Sequence, residues 1–203
     1  MRTGAAGGTA RRNKRVKSRP REESEDMIVA IDYDGTVADT NRQKVKWIRA
    51  RLGIDVAPWE CNRTDCVPLI GIEAYEEMGR EIYERESSLA APEVPGALRA
   101  IRGLARRAEL HIVTARPPRV MDFSREWLEE KDVVDCLAGI VSSEGSTKSE
   151  ICAALGARAL IDDDIRHLRD IEVEGLVRIY LQEGREKAPA CGPGVVFCRS
   201  WEE

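Results

Sequence analysis

Short apolar runs that alternate with helix-forming segments limit the folds open to this chain more than any other feature does. The predicted strands are residues 27–31, 110–113, 139–141, 159–161 and 176–181, with a shorter sixth at 195–197. Most of the segments between them carry apolar residues at helical spacing, as in Val45, Ile48 and Leu52. Strands that alternate with helices in this way form a parallel sheet with helices on both faces. The sequence therefore predicts an α/β, Rossmann-like fold.

The first and second predicted strands are separated by a long stretch that has no strand pattern. Residues 41–52 and 71–86 are predicted helices, whereas residues 53–70 contain two prolines and are predicted to be irregular. We interpret residues 41–94 as a small helical cap inserted after the first strand. The α/β core would then comprise residues 27–40 and 95–203. Its later helices are predicted at residues 96–107, 118–131, 147–155 and 165–171.

The N-terminal segment differs from the rest of the chain in charge. The 203 residues carry a formal net charge of −4, but residues 1–26 hold eight Lys or Arg side chains and only four acidic ones. Because this segment also has few apolar residues, it is predicted to be a disordered basic tail. Such a tail could attract a nucleic acid or an anionic surface, but an unstructured extension is the favoured interpretation. Met27, directly before the first strand, is an alternative natural start.

Composition narrows the class of protein further. Hydrophobic residues make up 42% of the chain, which is enough for a packed core. Because acidic residues outnumber basic ones, the chain is not a uniformly basic protein of the kind that coats nucleic acids. No apolar run approaches the ~18 residues of a membrane helix, and no secretory signal pattern opens the chain. We therefore expect a cytoplasmic protein with reduced cysteines and no membrane partner. Cys61-x4-Cys66 and Cys191-x6-Cys198 lack zinc-ribbon spacing, so a structural zinc site is the weaker interpretation.

Charged and hydroxyl side chains follow the predicted strands at the points where the strands end. Asp32-Tyr33-Asp34-Gly35-Thr36 follows the first strand, Thr114 follows the second, and Asp162-Asp163-Asp164 follows the fourth. Lys148 lies near the start of the helix after the third strand. Ligands of open α/β sheets bind outside the carboxyl ends of the strands. We therefore expect these side chains to converge on one pocket.

The residue types at these strand ends suit phosphoryl chemistry. Clustered carboxylates repel one another, and a hard divalent cation with oxygen ligands, typically Mg²⁺, relieves that repulsion. A carboxylate beside such an ion can attack phosphorus and form an aspartyl-phosphate. A second carboxyl group two residues further on can protonate the leaving oxygen and then activate water. Lys148 and Thr114 would hold the phosphoryl oxygens, and Gly35 would let the backbone pass close to the bound group.

Four segments, taken in order, resemble the motifs of haloacid-dehalogenase-like (HAD-like) phosphatases over roughly residues 27–168. The segments are Ile28–Thr36, His111–Arg116 with its Thr114, Lys148, and Leu160–Asp164. The resemblance implies that Asp32 is the nucleophile and Asp34 the general acid and base.

The resemblance also implies how Mg²⁺ would be held. The Asp32 carboxylate, the Asp34 backbone carbonyl and one acid of the Asp162–Asp164 cluster would bind the ion. Asp163 is the first choice among the three, with Asp162 as a co-ligand or a neighbour of the ligands. Asp164 is better placed as the N-cap of the following helix.

The short insertion resembles the small cap of family members that act on small phosphate esters, including 5'-deoxyribonucleotidases. The expected substrate is a nucleoside 5'-monophosphate, with a sugar phosphate or another small organic phosphate as the alternative. Arg116 is the nearest candidate for a contact with the substrate or leaving group. Further candidates lie in the predicted cap, where the aromatic ones could equally fill a small core. These are Trp59, Arg63, Tyr75 and Arg85.

Other functions stay open at this point. A carbon–halogen hydrolase can use an aspartate nucleophile on such a scaffold, but it has no evident use for a second acid at Asp34. A phosphotransferase would pass the phosphoryl group to an alcohol, and a nucleic-acid end phosphatase would give the basic tail a role. A non-catalytic binding module is the weakest alternative, because no expected catalytic group is missing. The sequence gives no indication of the oligomeric state.

Overall fold

A six-stranded sheet forms the centre of the computed structural model, which describes residues 27–169 and 171–203. Its strands are β1 (Met27–Ile31), β2 (Ala108–Thr114), β3 (Gly139–Ser142), β4 (Ala159–Asp162), β5 (Val177–Leu181) and β6 (Val195–Cys198). All neighbours pair in parallel, in the order β3-β2-β1-β4-β5-β6. The predicted α/β, Rossmann-like fold is confirmed. The predicted basic tail, residues 1–26, lies outside the described residues.

Seven α-helices connect or follow these strands in the described part of the chain. They are α1 (Thr40–Leu52), α2 (Arg63–Ile70), α3 (Ile72–Ile82), α4 (Arg85–Leu89), α5 (Ala97–Leu104), α6 (Pro118–Glu130) and α7 (Lys148–Leu155). A helix predicted at residues 165–171 is only a 3₁₀ turn, Ile165–His167. None of the described helices is long and apolar enough to cross a lipid bilayer.

The region between α1 and α5 differs from the prediction in two places. Residues 53–70 were expected to be irregular, but α2 forms there because the Asn62 side chain accepts a hydrogen bond from the Asp65 backbone N–H and caps the helix. Pro68 lies inside this helix and costs it one backbone donor. The single helix predicted over residues 71–86 is two, because the chain is extended at Glu84 between α3 and α4.

Two apolar layers cover the two faces of the sheet. Side chains of a strand alternate between faces, so Val29 and Ile31 pack on one side and Ala30 on the other. The first layer includes Ile101 of α5 and Trp127 of α6, both fully buried. The second layer includes Cys152 of α7. Helices on both faces leave the carboxyl ends of the strands as the accessible edge of the sheet.

A third, smaller apolar cluster joins α1, α2 and α3 away from the sheet. Its buried members are Trp47, Ile48, Cys61, Cys66, Met78 and Ile82. These helices therefore pack on one another through a core of their own. The division of the chain into a cap at residues 41–94 and a core at residues 27–40 and 95–203 stays a prediction.

Candidate active site

The site lies where the order of the strands changes direction along the sheet. β1 has β2 on one side and β4 on the other, so the chain connections diverge on either side of β1. Pairing continues past the end of β1, because the Asp32 backbone N–H donates to the Ile161 carbonyl at 2.8 Å. Crevices at such switch points bind ligands in α/β proteins. A cavity of about 320 Å³ lies at this edge, with Asp32, Asp34 and Lys148 among its lining residues.

The loop after β1 keeps strand-like alternation for three residues and then turns sharply. Asp32 and Asp34 line the cavity, whereas Tyr33 is fully buried and its ring meets Trp127 edge to face, 5.7 Å between centroids. Gly35 follows with a φ of +82°, a conformation that a residue with a Cβ rarely adopts. The sequence Asp-x-Asp-Gly therefore directs two carboxylates to one side of the loop and turns the chain immediately afterwards.

Two buried carboxylates, those of Asp32 and Asp162, meet at a single lysine. The Lys148 ammonium donates to Asp32 Oδ1 at 2.5 Å and to Asp162 Oδ2 at 2.6 Å. Lys148 is the first residue of α7, and Thr147 caps that helix by accepting from the Glu150 N–H. The cap fixes where the helix begins, so α7 delivers the lysine to the ends of β1 and β4. One cation thus faces more negative charge than it can neutralise.

Burial raises the pKa of these carboxyl groups. Loss of hydration raises the pKa of Asp32 to about 7, although Lys148 opposes the shift. Burial also raises the pKa of Asp163 well above its ordinary value, and the charges of Asp32 and Asp162 add to the effect. The arrangement of side chains alone therefore leaves this cluster short of positive charge.

The donor set fits a hard divalent cation. Asp32, Asp162 and Asp163 each offer an oxygen, and these three oxygens lie within 4.8 Å of one another. Among the described residues they are the one group of three or more acidic, His or Cys side chains placed to share an ion. Oxygen-only ligands suit Mg²⁺, whereas the six cysteines are free thiols and none joins this group. An added positive charge would relieve the repulsion that raises the carboxyl pKa values.

Asp34 is held by an arginine rather than by the lysine. Arg116 Nε and Nη2 donate to the two oxygens of Asp34, each at 2.8 Å. Arg116 is itself buried; Nη1 donates to the Ser88 hydroxyl, and the guanidinium lies over the rings of Tyr33 and Tyr83. The predicted contact of Arg116 with a substrate stays a prediction. Its contacts here make it a clamp that fixes the orientation of Asp34.

Two further predicted residues, Thr114 and Asp164, lie near the carboxylate cluster but are hydrogen-bonded to other groups. Thr114 is fully buried at the end of β2, and its hydroxyl oxygen accepts from the Arg116 backbone N–H at 3.1 Å, so phosphate binding by Thr114 stays a prediction. Asp164 caps the 3₁₀ turn, as predicted, and also pairs with Arg166. That pairing and cap account for the lowered pKa of Asp164 in spite of its burial. It is therefore the member of the triplet least available to a metal.

Two residues of α1 belong to the site and were not predicted. Asn41 Nδ2 donates to Asp163 Oδ2 at 2.6 Å, and Lys44, which lines the cavity, donates to Asn41 Oδ1 at 3.3 Å. Both side chains are buried, because they lie on the same face of α1 as the buried Trp47 and Ile48. The only signal in the sequence is their spacing of three, which places them on one face of the helix.

The candidates in the predicted cap separate into two groups. Arg63 and Tyr75 line the cavity, and the Arg63 guanidinium lies 5.7 Å from the centre of the Tyr75 ring. Arg85 instead pairs with Glu126 of α6. Trp59 lies beside a small adjacent pocket with Asp39 and Gln182. Of the two histidines, His167 lines the main cavity, and burial lowers its pKa to about 4.

No family model and no curated protein matches this sequence. Solved structures do match the fold. A haloacid dehalogenase-like family hydrolase from Streptococcus pneumoniae is similar with a TM-score of 0.59 and 14% identity, over 85% of this chain and 93% of that one. The HAD-hydrolase YfnB from Bacillus subtilis, bound to magnesium, gives a TM-score of 0.55 and 15% identity over 87% and 96% of the two chains.

A third similar structure is a HAD family hydrolase from Deinococcus radiodurans with bound phosphate and sodium. Its TM-score is 0.54 at 12% identity, over 86% of this chain and 92% of that chain. The resemblance seen in the sequence is therefore confirmed at the level of the fold. This chain has the fold of the HAD-like hydrolases.

Proposed function

We propose that this chain is a magnesium-dependent phosphomonoester hydrolase that works through an aspartyl-phosphate on Asp32. One observation carries the proposal. Asp32 and Asp162 meet within hydrogen-bond reach of Lys148, and Asp163 lies beside them, at the carboxyl edge of a HAD-like sheet, in a cavity that is open to a small molecule. Nothing else among the described residues combines a nucleophile, a proton carrier and an anion-binding cation so closely.

The proposed reaction has two steps. In the first, an Asp32 oxygen attacks phosphorus, the bond from phosphorus to the ester oxygen breaks, and Asp34 gives its proton to the leaving alcohol. In the second, Asp34 takes a proton from water, whose oxygen attacks the same phosphorus. The bond between phosphorus and Asp32 then breaks, which releases inorganic phosphate and restores both carboxyl groups. The two hydrogen bonds from Arg116 suit the carboxylate form of Asp34, which accepts the proton of the second step, and one of them would open when Asp34 carries the proton of the first step.

Other residues of the chain would place the reacting groups. Lys148 holds Asp32 in position and would share its donors with the phosphoryl oxygens. Thr114 would add a hydroxyl donor, Gly35 would let the loop pass close to the phosphoryl group, and Arg116 would orient Asp34. Asp32, Asp163 and Asp162, with the Asp34 backbone carbonyl, would hold Mg²⁺. When bound, the ion supplies positive charge that offsets both the carboxylates and the phosphoryl oxygens.

A cavity of about 320 Å³ supports a small phosphate ester as the substrate. A nucleoside 5'-monophosphate is the candidate that the sequence suggested, and the Tyr75 and Tyr83 rings in the cavity wall could receive a base. Sugar phosphates and other small organic phosphates are the alternatives. The cytosol is the proposed compartment, which suits six free thiols.

The proposal is tested with p-nitrophenyl phosphate and with a panel of nucleotides and sugar phosphates. We expect turnover that requires Mg²⁺ and stops in excess EDTA. Asp32→Asn should lower kcat at least about 1,000-fold and abolish trapping of an acyl-phosphate by borohydride. Asp135→Asn, a change at an exposed aspartate, is the matched control and should behave as the wild type.

Three results would contradict the proposal. They are full activity in EDTA, release of halide rather than phosphate from haloacids, and an Asp32→Asn variant that keeps its activity. Transfer to an added alcohol without free phosphate would instead indicate a phosphotransferase. Deletion of residues 1–26 tests the nucleic-acid alternative, which predicts lower activity on oligonucleotide phosphates but not on mononucleotides.

A further inference from the structure

Lys44 is a buried lysine whose ammonium has no carboxylate partner among the described residues. Its side chain is 5% exposed. The ammonium donates to two neutral oxygens, Asn41 Oδ1 at 3.3 Å and the Cys61 carbonyl at 3.5 Å, and both contacts are long. An ammonium has three donors, so one of them has no acceptor within the described part of the protein. The charges of Asp163 and Asp34 reach this ammonium only from beyond ion-pair distance, and a buried cation with an unused donor points to an anionic partner that is not part of the protein.

The other buried cations of the cavity are already occupied. Arg116 is bonded to Asp34, and Lys148 lies between Asp32 and Asp162. Arg166, which is partly exposed, is paired with Asp164. Lys44 differs from all of these, although it lines the same cavity. Its link to the carboxylate cluster is indirect, through the Asn41 amide that bonds Asp163.

The surroundings of Lys44 place it on the wall opposite the strand ends. It comes from α1, and Cys61, its second acceptor, belongs to the apolar cluster of α1, α2 and α3. Arg63, Tyr75 and Tyr83 line the cavity with it. Arg63 is exposed and also has no carboxylate within ion-pair distance among the described residues, so this wall carries two cations that no acid of that part of the chain contacts directly.

We propose that Lys44, assisted by Arg63, forms a second anion subsite that binds the leaving group of the substrate. The substrate class is then a small phosphomonoester whose alcohol part carries a carboxylate or a second phosphate. This inference rests on the proposed function, because it names the substrate of the same cavity. It favours an acidic alcohol over the neutral sugar of a nucleoside 5'-monophosphate. The phosphate to be hydrolysed would contact Asp32 and Lys148. The second anionic group would accept a hydrogen bond from the unused donor of Lys44.

Matched substrate pairs test the subsite. 3-Phosphoglycerate carries a carboxylate where glycerol 3-phosphate carries a hydroxymethyl group. Fructose 1,6-bisphosphate carries a second phosphate that fructose 6-phosphate lacks. We expect the wild type to favour the acidic member of at least one pair in kcat/KM by roughly 10- to 100-fold, the range for a charged hydrogen bond. The pair that shows the preference identifies the anion as a carboxylate or a phosphate.

Variants at Lys44 assign the preference to this side chain. Lys44→Met should bring the ratio within the pair close to one, and Lys44→Arg should restore part of it. Lys46→Met, on an exposed position of the same helix, should leave the ratio unchanged. Circular dichroism checks that each variant is folded. An equal loss for both members of a pair in Lys44→Met would overturn the inference, since it would mean a structural role or a contact with the transferred phosphoryl group.

Calorimetry on the Asp32→Asn variant, which should bind the esters without turning them over, separates this inference from the proposed function. With Mg²⁺ present, 3-phosphoglycerate or fructose 1,6-bisphosphate should bind roughly 10-fold or more tightly than its partner. Equal binding within both pairs overturns the subsite, whatever the activity and whether or not the Lys44 variants fold. A protein that binds the acidic member selectively through Lys44 but hydrolyses none of the esters would contradict the proposed function and support the subsite.

Discussion

Space is tightest where Gly35, Asn41 and Asp163 meet. A Cβ placed on Gly35 would overlap both the Asp163 carboxylate and the Asn41 amide. The same glycine has a positive φ, so a side chain there would be strained even in open space. The absence of one methyl group therefore lets the loop after β1 lie against a predicted metal ligand.

Gly35→Ala should harm the metal site more than the fold. We expect a loss of about 1–3 kcal/mol in the free energy of unfolding, together with weaker Mg²⁺ binding, because the methyl group displaces Asp163. Urea unfolding and Mg²⁺ titration measure the two effects. Gly53→Ala is the matched control, since Gly53 also has a positive φ but no atom lies within 4 Å of its added Cβ. Equal effects of the two substitutions on Mg²⁺ binding would contradict this explanation.

Single residues could be predicted where they follow a strand. Asp32, Lys148 and Asp163 were found because parallel strands bring their carboxyl ends to one edge. Lys44 was not found, because a lysine inside a polar helix is ordinarily solvated and only the packing of α1 buries it. The hold of Arg116 on Asp34 was also missed, since those residues lie 82 positions apart and no local pattern links them.

Among the elements, α7 begins with a reciprocal cap that positions Lys148. Thr147 accepts from the Glu150 N–H, while the Glu150 carboxylate accepts from the Thr147 N–H at 2.7 Å. Hydrogen bonds from the Thr147 backbone, from the Ser146 hydroxyl and from the Thr147 hydroxyl lower the pKa of Glu150 below its ordinary value of 4.5. The ionised form of Glu150 thus stabilises the start of the helix.

The stability contributed by the Glu150 charge should disappear in acid. A pKa that is lower in the folded than in the unfolded state stabilises above the unfolded pKa, and the gain is lost as pH falls through the folded pKa. Wild type should therefore be more stable than Glu150→Gln at pH 7, and the difference should begin to shrink near pH 4.5, the ordinary pKa, and disappear below the lowered pKa of the folded state. Urea unfolding over this pH range measures it, with the exposed Glu144→Gln as the control. A difference that does not change with pH would contradict the prediction.

The C-terminal segment supports the loop that carries the nucleophile. Trp201 Nε1 donates to the Thr36 carbonyl at 2.8 Å, and the Thr36 hydroxyl donates to Asp32 Oδ2 at 3.3 Å. The Trp201 ring also packs on the apolar layer that contains Ile101. Residues far apart in sequence are therefore connected to Asp32 through one loop.

Trp201→Phe should keep the apolar packing but lose the donor to Thr36. We expect a loss of about 1 kcal/mol in stability and a roughly threefold to tenfold fall in turnover, because the loop positions Asp32 less well. Thermal unfolding and p-nitrophenyl phosphate kinetics measure these effects. Glu202→Gln breaks only an exposed pair with Arg99 and is the control. Unchanged kinetics in Trp201→Phe would show that the loop needs no such support.

The strands and the later helices α5, α6 and α7 could be predicted from the sequence, whereas the segment between α1 and α5 and the short turn at residues 165–171 could not. Apolar runs such as Met27–Ile31 identify buried strands by their length and their β-branched residues. The α2 helix was missed because Pro68 argues against a helix, and its Asn62 cap became visible only in the folded chain. The extended residue that separates α3 from α4, Glu84, has no sequence signal.

At the scale of the molecule, buried carboxylates of the described residues gather at one edge of the sheet. Asp32 and Asp163 are both nearly inaccessible, and their pKa values are raised by burial and by the charges of neighbouring carboxylates. Folding therefore proceeds against a local electrostatic cost that a bound cation removes. Stability should consequently depend on Mg²⁺ as strongly as activity does.

Asp163→Asn should remove most of this dependence on Mg²⁺. Without the ion, the variant should be as stable as the wild type or more stable by about 1 kcal/mol, because one buried charge is gone. With Mg²⁺ at about 100 times its Kd, the wild type should gain about 2.7 kcal/mol and the variant little. Thermal unfolding with Mg²⁺ and with EDTA measures both, and Asp135→Asn should follow the wild type. An equal gain in the variant would remove Asp163 from the metal site.

α1 touches two parts of the protein at once. Its first turn carries Asn41, which bonds Asp163, and its middle carries Trp47 and Ile48, which pack with α2 and α3. A regular helix of 13 residues is stiff along its length. If ligand binding tilted the middle of α1, the tilt would also shift Asn41 and, through it, the Asp163 carboxylate. Mn²⁺ is paramagnetic and could replace Mg²⁺ at the proposed metal site. The linewidth of its resonance would accordingly report whether α1, together with α2 and α3, shifts when a ligand binds.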